Sequence, residues 1–273
     1  MESNRMVKQL PNQKSKKQTA APIQAGSVDV IYYTDPLCCW SWAMEPQLRR
    51  IQYEYEHQLN WRYCMGGLLP GWHSYSDEIN SVTKPIQMGP LWMHAHKESG
   101  MPIDAAVWKN DPPSSSYPGC IAVKCVGLQS PAAGIRYLRL LREAIMLHGK
   151  NISKETILIE IARELSADTR HDFNLETFKE DMKNGDGLEA FRSDMQEKQL
   201  NNISRFPTLI IKSPSTNKGV IVTGYRPYNI LLDSLFLVNP LLQKTRCSIE
   251  EEEYISFWNG ITRREAEEIN GHH

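Results

Sequence analysis

Two side chains three residues apart, Cys38 and Ser41, carry the chemistry in the run Asp35-Pro36-Leu37-Cys38-Cys39-Trp40-Ser41-Trp42. A thiol placed where a strand runs into a helix can attack a disulfide. Unpaired backbone N–H groups and the positive end of the helix dipole favour its thiolate. A complete dithiol cycle needs a second cysteine at the position of Ser41. A serine hydroxyl forms no disulfide, so a mixed disulfide on Cys38 lacks the intramolecular attacker whose effective concentration can exceed ~10⁵ M. Three outcomes follow. Cys38 exchanges with an external thiol such as glutathione, another cysteine resolves it, or turnover has been given up and the turn serves as a binding surface.

The neighbouring residues sort by what each can add. Cys39 is a poor resolver, since adjacent cysteines close a ring that distorts the peptide. Cys64, at the end of a strand, is either a resolving thiol or a small buried hydrophobe. Asp35 can close an Asx-type turn or act as a carboxylate near the thiol. Glu45 either moves protons at the thiol or sits on a helix flank. Trp40 and Trp42 can wall an apolar substrate groove, with one of them core. Ser41 can hydrogen-bond the Cys38 thiolate, whether it is the natural residue or a replacement that traps a mixed disulfide. Cys120, Cys125 and Cys247 read as core or surface thiols. No cysteine or histidine spacing suits a metal, and His94 and His96, two apart, point to different helix faces.

Composition narrows the function class. Net charge is −1, so no field draws the chain to nucleic acid or anionic membrane. No apolar stretch is long enough to cross a bilayer. Residues 1–26 are rich in Lys, Gln, Asn and Ser without the apolar block of a signal peptide, and read as a disordered tail on a cytoplasmic protein. Six cysteines without small-scaffold spacing fit reduced thiols. Seven tryptophans and eleven tyrosines suggest aromatic-lined grooves as well as core.

The elements that must position the turn follow from periodicity. Val28–Tyr33 is a strand, Trp40–His57 a helix and Asn60–Met65 a second strand, closed by Gly66-Gly67: a βαβ unit. Residues 81 to 201 read as helical. Ile135, Leu138, Leu141 and Ile145 form one stripe; Ile157, Ile161 and Leu165 form the next, with Ser153 as its N-cap. Gly185 stops a helix over Asn174–Asn184, and Asn110–Pro118 is a loop. Pro207–Lys212 and Lys218–Thr223 make an antiparallel hairpin across a short turn, followed by a helix over Pro227–Val238. A helical tail opens at Glu250–Glu253, and Thr262 with Glu265 forms a capping box before Ala266 and Ile269. The closing His272-His273 is native or a tag remnant. The domains predicted are 27–80 and 204–240 as the two parts of one sheet unit, 81–203 as an inserted all-helical domain, and 241–273 as a tail.

Four runs in this order carry a resemblance: "DPLCCWSWAMEP", "MGGL" over Met65–Leu68, "PPSSSYPGCIAVKC" with "YLRLLREA", and "RFPTLII" with "VTGYRPY". Together they resemble the DsbA family of the thioredoxin superfamily, in its cytosolic dithiol-disulfide isomerase and polyketide-isomerase-like branch, with Ser41 in place of the second cysteine. The resemblance implies a thioredoxin-like α/β fold split by a helical insertion. It also implies a helix-kinking Pro46 that lets Cys38 emerge, and a cis Pro207 beside the thiol. In that setting Phe206, Pro207 and Thr208 would present backbone to an extended substrate. The function implied first is thiol-disulfide oxidoreductase or isomerase acting through Cys38 on protein or peptide disulfides, with no bound cofactor and glutathione as a possible co-substrate. A second implied class is a non-catalytic adaptor that presents client proteins to a protease. A third is a glutathione-dependent kappa-class isomerase or transferase, which resembles this fold but carries serine where Cys38 stands.

Overall fold

A computed structural model describes residues 27–271 apart from Asn217; the tail over residues 1–26 and His272-His273 lie outside the described residues. In chain order the elements are β1 (Val28–Thr34), α1 (Cys39–Ala43), α2 (Glu45–Glu54) and β2 (Leu59–Met65), then a helical series. That series is α3 (Met88–Ser99), α4 (Val107–Asn110), α5 (Tyr117–Gln129), α6 (Pro131–Met146), α7 (Glu155–Ser166), α8 (Leu175–Asn184) and α9 (Asp186–Leu200). The chain ends with β3 (Thr208–Lys212), β4 (Gly219–Thr223), α10 (Tyr228–Val238), α11 (Glu251–Trp258) and α12 (Arg263–Asn270).

Two compact units result. Among the described residues, one holds those up to Tyr33, Met44–Tyr63 and those from Pro207 onward. The other holds Thr34–Ala43 and Cys64–Phe206. The Cys38 turn thus groups with the helices.

In the first unit the sheet order is β2-β1-β3-β4, with β1–β3 and β3–β4 antiparallel. Val28, Val30 and Tyr32 of β1 join Leu209 and Ile211 of β3 and Val220 and Val222 of β4 on one face. Leu48 and Ile51 of α2 and Leu231, Leu235 and Val238 of α10 close over it. The alternation is what period-2 strands dictate. Ile31, Tyr33 and Ile210, of the opposite parity, are buried too, so these strands read as continuous apolar runs. The predicted hairpin is present, with Leu209 opposite Val222 and Ile211 opposite Val220.

The long helix expected over Trp40–His57 is two helices. Pro46 has no N–H and its ring would crowd the carbonyl of Trp42, so a continuous helix is costly there. The chain turns at Met44 and restarts, leaving Pro46 in the first turn of α2, where an N–H has no partner anyway. α2 ends at Glu54, with Tyr55 as its cap.

In the helical unit, α5 is the central rod, packed on α6 and α9. Gly134 lets α6 approach α5: a Cβ there would lie 2.9 Å from the Gly127 backbone. Gly185, at φ 95°, caps α8 as its position predicts. Ser153 is not the N-cap of α7; Lys154 is. The Ser153 hydroxyl and N–H both donate to Asn151 Oδ1 instead, which folds the loop one residue further before the helix starts. The Thr262–Glu265 capping box forms as predicted.

Candidate functional site

The turn is built around Asp35, which is fully buried. Its Oδ1 accepts the Leu37 N–H at 2.8 Å, the predicted Asx bond. Its Oδ2 accepts the Leu68 N–H at 2.7 Å, the Ser116 hydroxyl at 2.9 Å and the Cys120 thiol at 3.3 Å. One carboxyl therefore ties the turn to the loop after β2 and to the start of α5. Burial pushes its pKa up, against the four donors that hold it down. The same burial, with Asp35 beside it, pushes the Cys120 thiol well up.

Cys38 follows with its N–H on the Asp35 carbonyl, at 3.1 Å. It stands where an N-cap would: its Sγ accepts the Ser41 N–H at 3.4 Å, and its carbonyl takes the Trp42 N–H. Yet only 4% of Cys38 is exposed. Burial raises its pKa above the ordinary thiol value, more than the Ser41 hydroxyl and N–H lower it; Asp35 raises it further and Arg142 lowers it. This corrects the expectation of an emergent thiolate. α1 is five residues long, so few aligned peptide dipoles stand against the loss of water. Cys39 is buried as well, and its thiol is pushed well up by burial and by Cys38.

The remaining predicted residues divide. Cys64 is fully buried and its thiol donates to the Asp194 carbonyl at 3.4 Å, so it behaves as a packed thiol. Among the described residues every cysteine is a free thiol. Trp42 is corrected from groove wall to core: it is fully buried, its indole N–H donates to the Pro102 carbonyl at 2.9 Å, and Arg139 lies 4.5 Å over its ring. Trp40 is half-buried and meets His94 edge to face at 5.4 Å, leaving it as the aromatic surface of the turn. Phe206 is half-buried beside Gly66, where a Cβ would reach its ring at 2.0 Å.

In the sheet unit, Glu45 is a buried first-turn residue of α2. Pro207 is buried immediately ahead of β3, and its carbonyl accepts the Gly224 N–H at 2.7 Å. Thr208, also buried, pairs with Tyr33, five residues before Cys38.

Two residues around the turn, Ser116 and Arg142, were not singled out from sequence, and Cys120, read there as a core or surface thiol, also takes a part in it. Ser116 and Cys120 hold Asp35 from more than 80 positions away. Arg142 is fully buried on α6, donates to the Thr34 hydroxyl and favours the Cys38 thiolate. Its signal was an arginine on an apolar stripe, between Leu138 and Ile145. Among the described residues no cluster suits a metal ion, and no helix is long and apolar enough to cross a membrane.

Comparison with known proteins places this geometry. A thioredoxin family model matches residues 32–233. The ClpXP adapter protein SpxH of Halalkalibacterium halodurans is 32% identical over 209 residues, covering 76% of this chain and 66% of that protein. SpxH of Bacillus subtilis is 28% identical over 212 residues, 77% of this chain and 67% of that one. The chain thus spans about two thirds of the length of the curated relatives it matches. The solved cytosolic disulfide reductase DsbM of Pseudomonas aeruginosa superposes with a TM-score of 0.55 at 17% identity, over 85% of this chain and 97% of that one. At that identity the likeness concerns the fold.

Proposed function

The chain belongs to the thioredoxin family, in its DsbA-like form, and from that premise we propose that it is an adaptor that recognises client proteins and delivers them to a ClpXP-type protease. The observation that carries the reading is Cys38: a buried thiol whose pKa is raised, with serine where a resolving cysteine would stand. A thiol with an ordinary pKa of ~8.5 is only a few per cent thiolate at neutral pH, and a raised one is less. Such a turn is poorly suited to turnover and well suited to structure. Cys38 caps α1, Asp35 staples three segments together, and Trp40 remains as an aromatic contact surface. The similarity to SpxH adapters supports the same reading, and a protease adaptor of this kind works in the cytoplasm.

Proteome-wide half-lives test it, measured after protein synthesis is stopped, in cells with and without the chain and in cells lacking ClpXP. At least one short-lived protein should persist when either is missing. The reading fails when no protein shares the two dependencies.

A second reading is kept alive by the Ser41 N–H and the Arg142 charge, both of which favour a Cys38 thiolate. There Cys38 attacks a protein disulfide, forming a mixed disulfide and releasing one thiolate. Glutathione then attacks that bond, freeing Cys38 and carrying the client sulfur as a glutathione adduct. Steady glutathionylation of Cys38 by glutathione disulfide at neutral pH would favour it.

A further inference from the structure

After α10 the chain returns along α2 as α11 and α12, beyond the residues 32–233 that the family model matches. α12 docks with its acidic face inward. Glu265 is 0% and Glu268 1% exposed, whereas Ile269 is only half-buried. A tail held simply by apolar burial would turn Ile269 in. Here Glu265 pairs with Arg49, and Glu268 lies 3.6 Å from Arg50 and 3.4 Å from Gln47. Arg49 also donates to the Trp258 and Gly260 carbonyls, at 3.3 and 3.1 Å, catching the end of α11. It stacks 4.4 Å from the Trp258 ring. Tyr53 is covered edge-on by Tyr254 and Phe257, each at 5.1 Å.

Buried ion pairs return little more than they cost to desolvate, and their best-attested use is to fix register or to build a switch. Once lifted off, Arg49, Arg50 and both glutamates regain water. The ion pairs therefore give specific register at modest net strength, beside the apolar burial of Tyr254, which is 0% exposed.

We propose that the α2 face bearing Gln47, Arg49, Arg50 and Tyr53 is a docking site for an acidic helix of a partner protein, occupied in cis by residues 249–271 as a releasable strap. The occupant is defined by what already fits. It is a short aromatic helix whose C-terminal carbonyls meet Arg49, followed by a helix with carboxylates three positions apart. This goes beyond the adaptor reading and does not rest on it, since the test uses the purified chain alone.

The probe is a labelled synthetic peptide of residues 249–271, followed by fluorescence anisotropy with the full chain. Glu265→Gln with Glu268→Gln in the chain loosens the strap while keeping a capping-box residue opposite Thr262. That variant should bind the wild-type peptide at least about tenfold more tightly than the wild-type chain does, because loss of one member of a buried pair is costly to the strap. A peptide carrying the two glutamines should bind neither chain, and Arg49→Gln in the loosened chain should abolish binding. In the wild-type chain, hydrogen exchange over 251–270 should be faster than over β3, reporting opening without global unfolding. The proposal is overturned if the loosened chain does not bind the peptide, if 251–270 exchange only together with β3, or if the loosened chain dimerises by trading straps instead of binding the peptide.

Discussion

Replacing Asp35 should reveal how much of the turn depends on one carboxyl. In Asp35→Ala two backbone N–H groups, of Leu37 and Leu68, lose their acceptor inside the protein. The Ser116 hydroxyl and Cys120 thiol lose theirs as well. A buried donor left unpaired costs about 1–3 kcal/mol. The two N–H groups alone then give about 2–6 kcal/mol, and relief of the buried carboxyl's own desolvation trims that to roughly 2–4 kcal/mol. Asp35→Asn keeps one acceptor oxygen but turns an amide toward the remaining donors, and should cost about 1–2 kcal/mol. The pH dependence follows from burial raising Asp35 above 3.8. Between the unfolded and the raised folded pKa the unfolded chain is ionised and the folded one is not. Stability from this group is therefore lost as pH rises through that window. Hence the wild type should exceed Asp35→Asn by more near pH 4 than at pH 8. Urea unfolding followed by circular dichroism at both pH values measures this. An Asp35→Ala midpoint equal to wild type would refute the staple, and a pH-independent gap between wild type and Asn would refute the buried-carboxyl argument.

Other consequences are open to equally direct checks. Gly187→Ala would bring a Cβ within 2.1 Å of the Cys125 sulfur; overpacking of this kind costs about 1–3 kcal/mol, readable as a lowered thermal midpoint. Gly66→Ala should displace Phe206, which meets that Cβ at 2.0 Å, while the circular dichroism spectrum stays folded. Tyr75, whose pKa is pushed up to about 12 by burial, Asp77 and the nearby thiols, should give an ultraviolet titration step near that pH that Tyr75→Phe removes. Cys38 should react with iodoacetamide more slowly than the exposed Cys247 at pH 7; equal or faster labelling of Cys38 would contradict its burial.

Much of the architecture was written in local pattern. Apolar, β-branched runs and a turn-rich linker located β1, β2 and the β3–β4 hairpin, and local chemistry marked the Gly185 stop and the Thr262–Glu265 box. The order of those elements, with the four motifs, was enough to place the chain in its superfamily. What local pattern missed was set by burial and by distant partners. Pro46 reads as a kink in a long helix, but it sits in the first turn of a second one, because a continuous helix through it is costly and the chain turns at Met44. Ser153 has a capping side chain that Asn151 takes first. Trp40 and Trp42 are alike in sequence, and only packing sends Trp42 to the core. α12 turns glutamates inward because Arg49 and Arg50 await them, 216 and 218 residues away in sequence, and no helical period announces that. Function is set by burial for the same reason. A Cys-x-x-Ser turn reads first as monothiol redox chemistry, whereas desolvation, which a sequence does not display, raises the Cys38 pKa.

We propose that this chain acts by recognition and not by thiol chemistry. The most direct test is the half-life of a protein stabilised when the chain is absent, measured in cells supplied with wild type or with Cys38→Ala at equal level. Recognition without thiol chemistry means that Cys38→Ala restores rapid degradation as fully as wild type. Restoration by wild type alone, with Cys38→Ala folded and abundant, would contradict it and return the thiol to the centre of the mechanism.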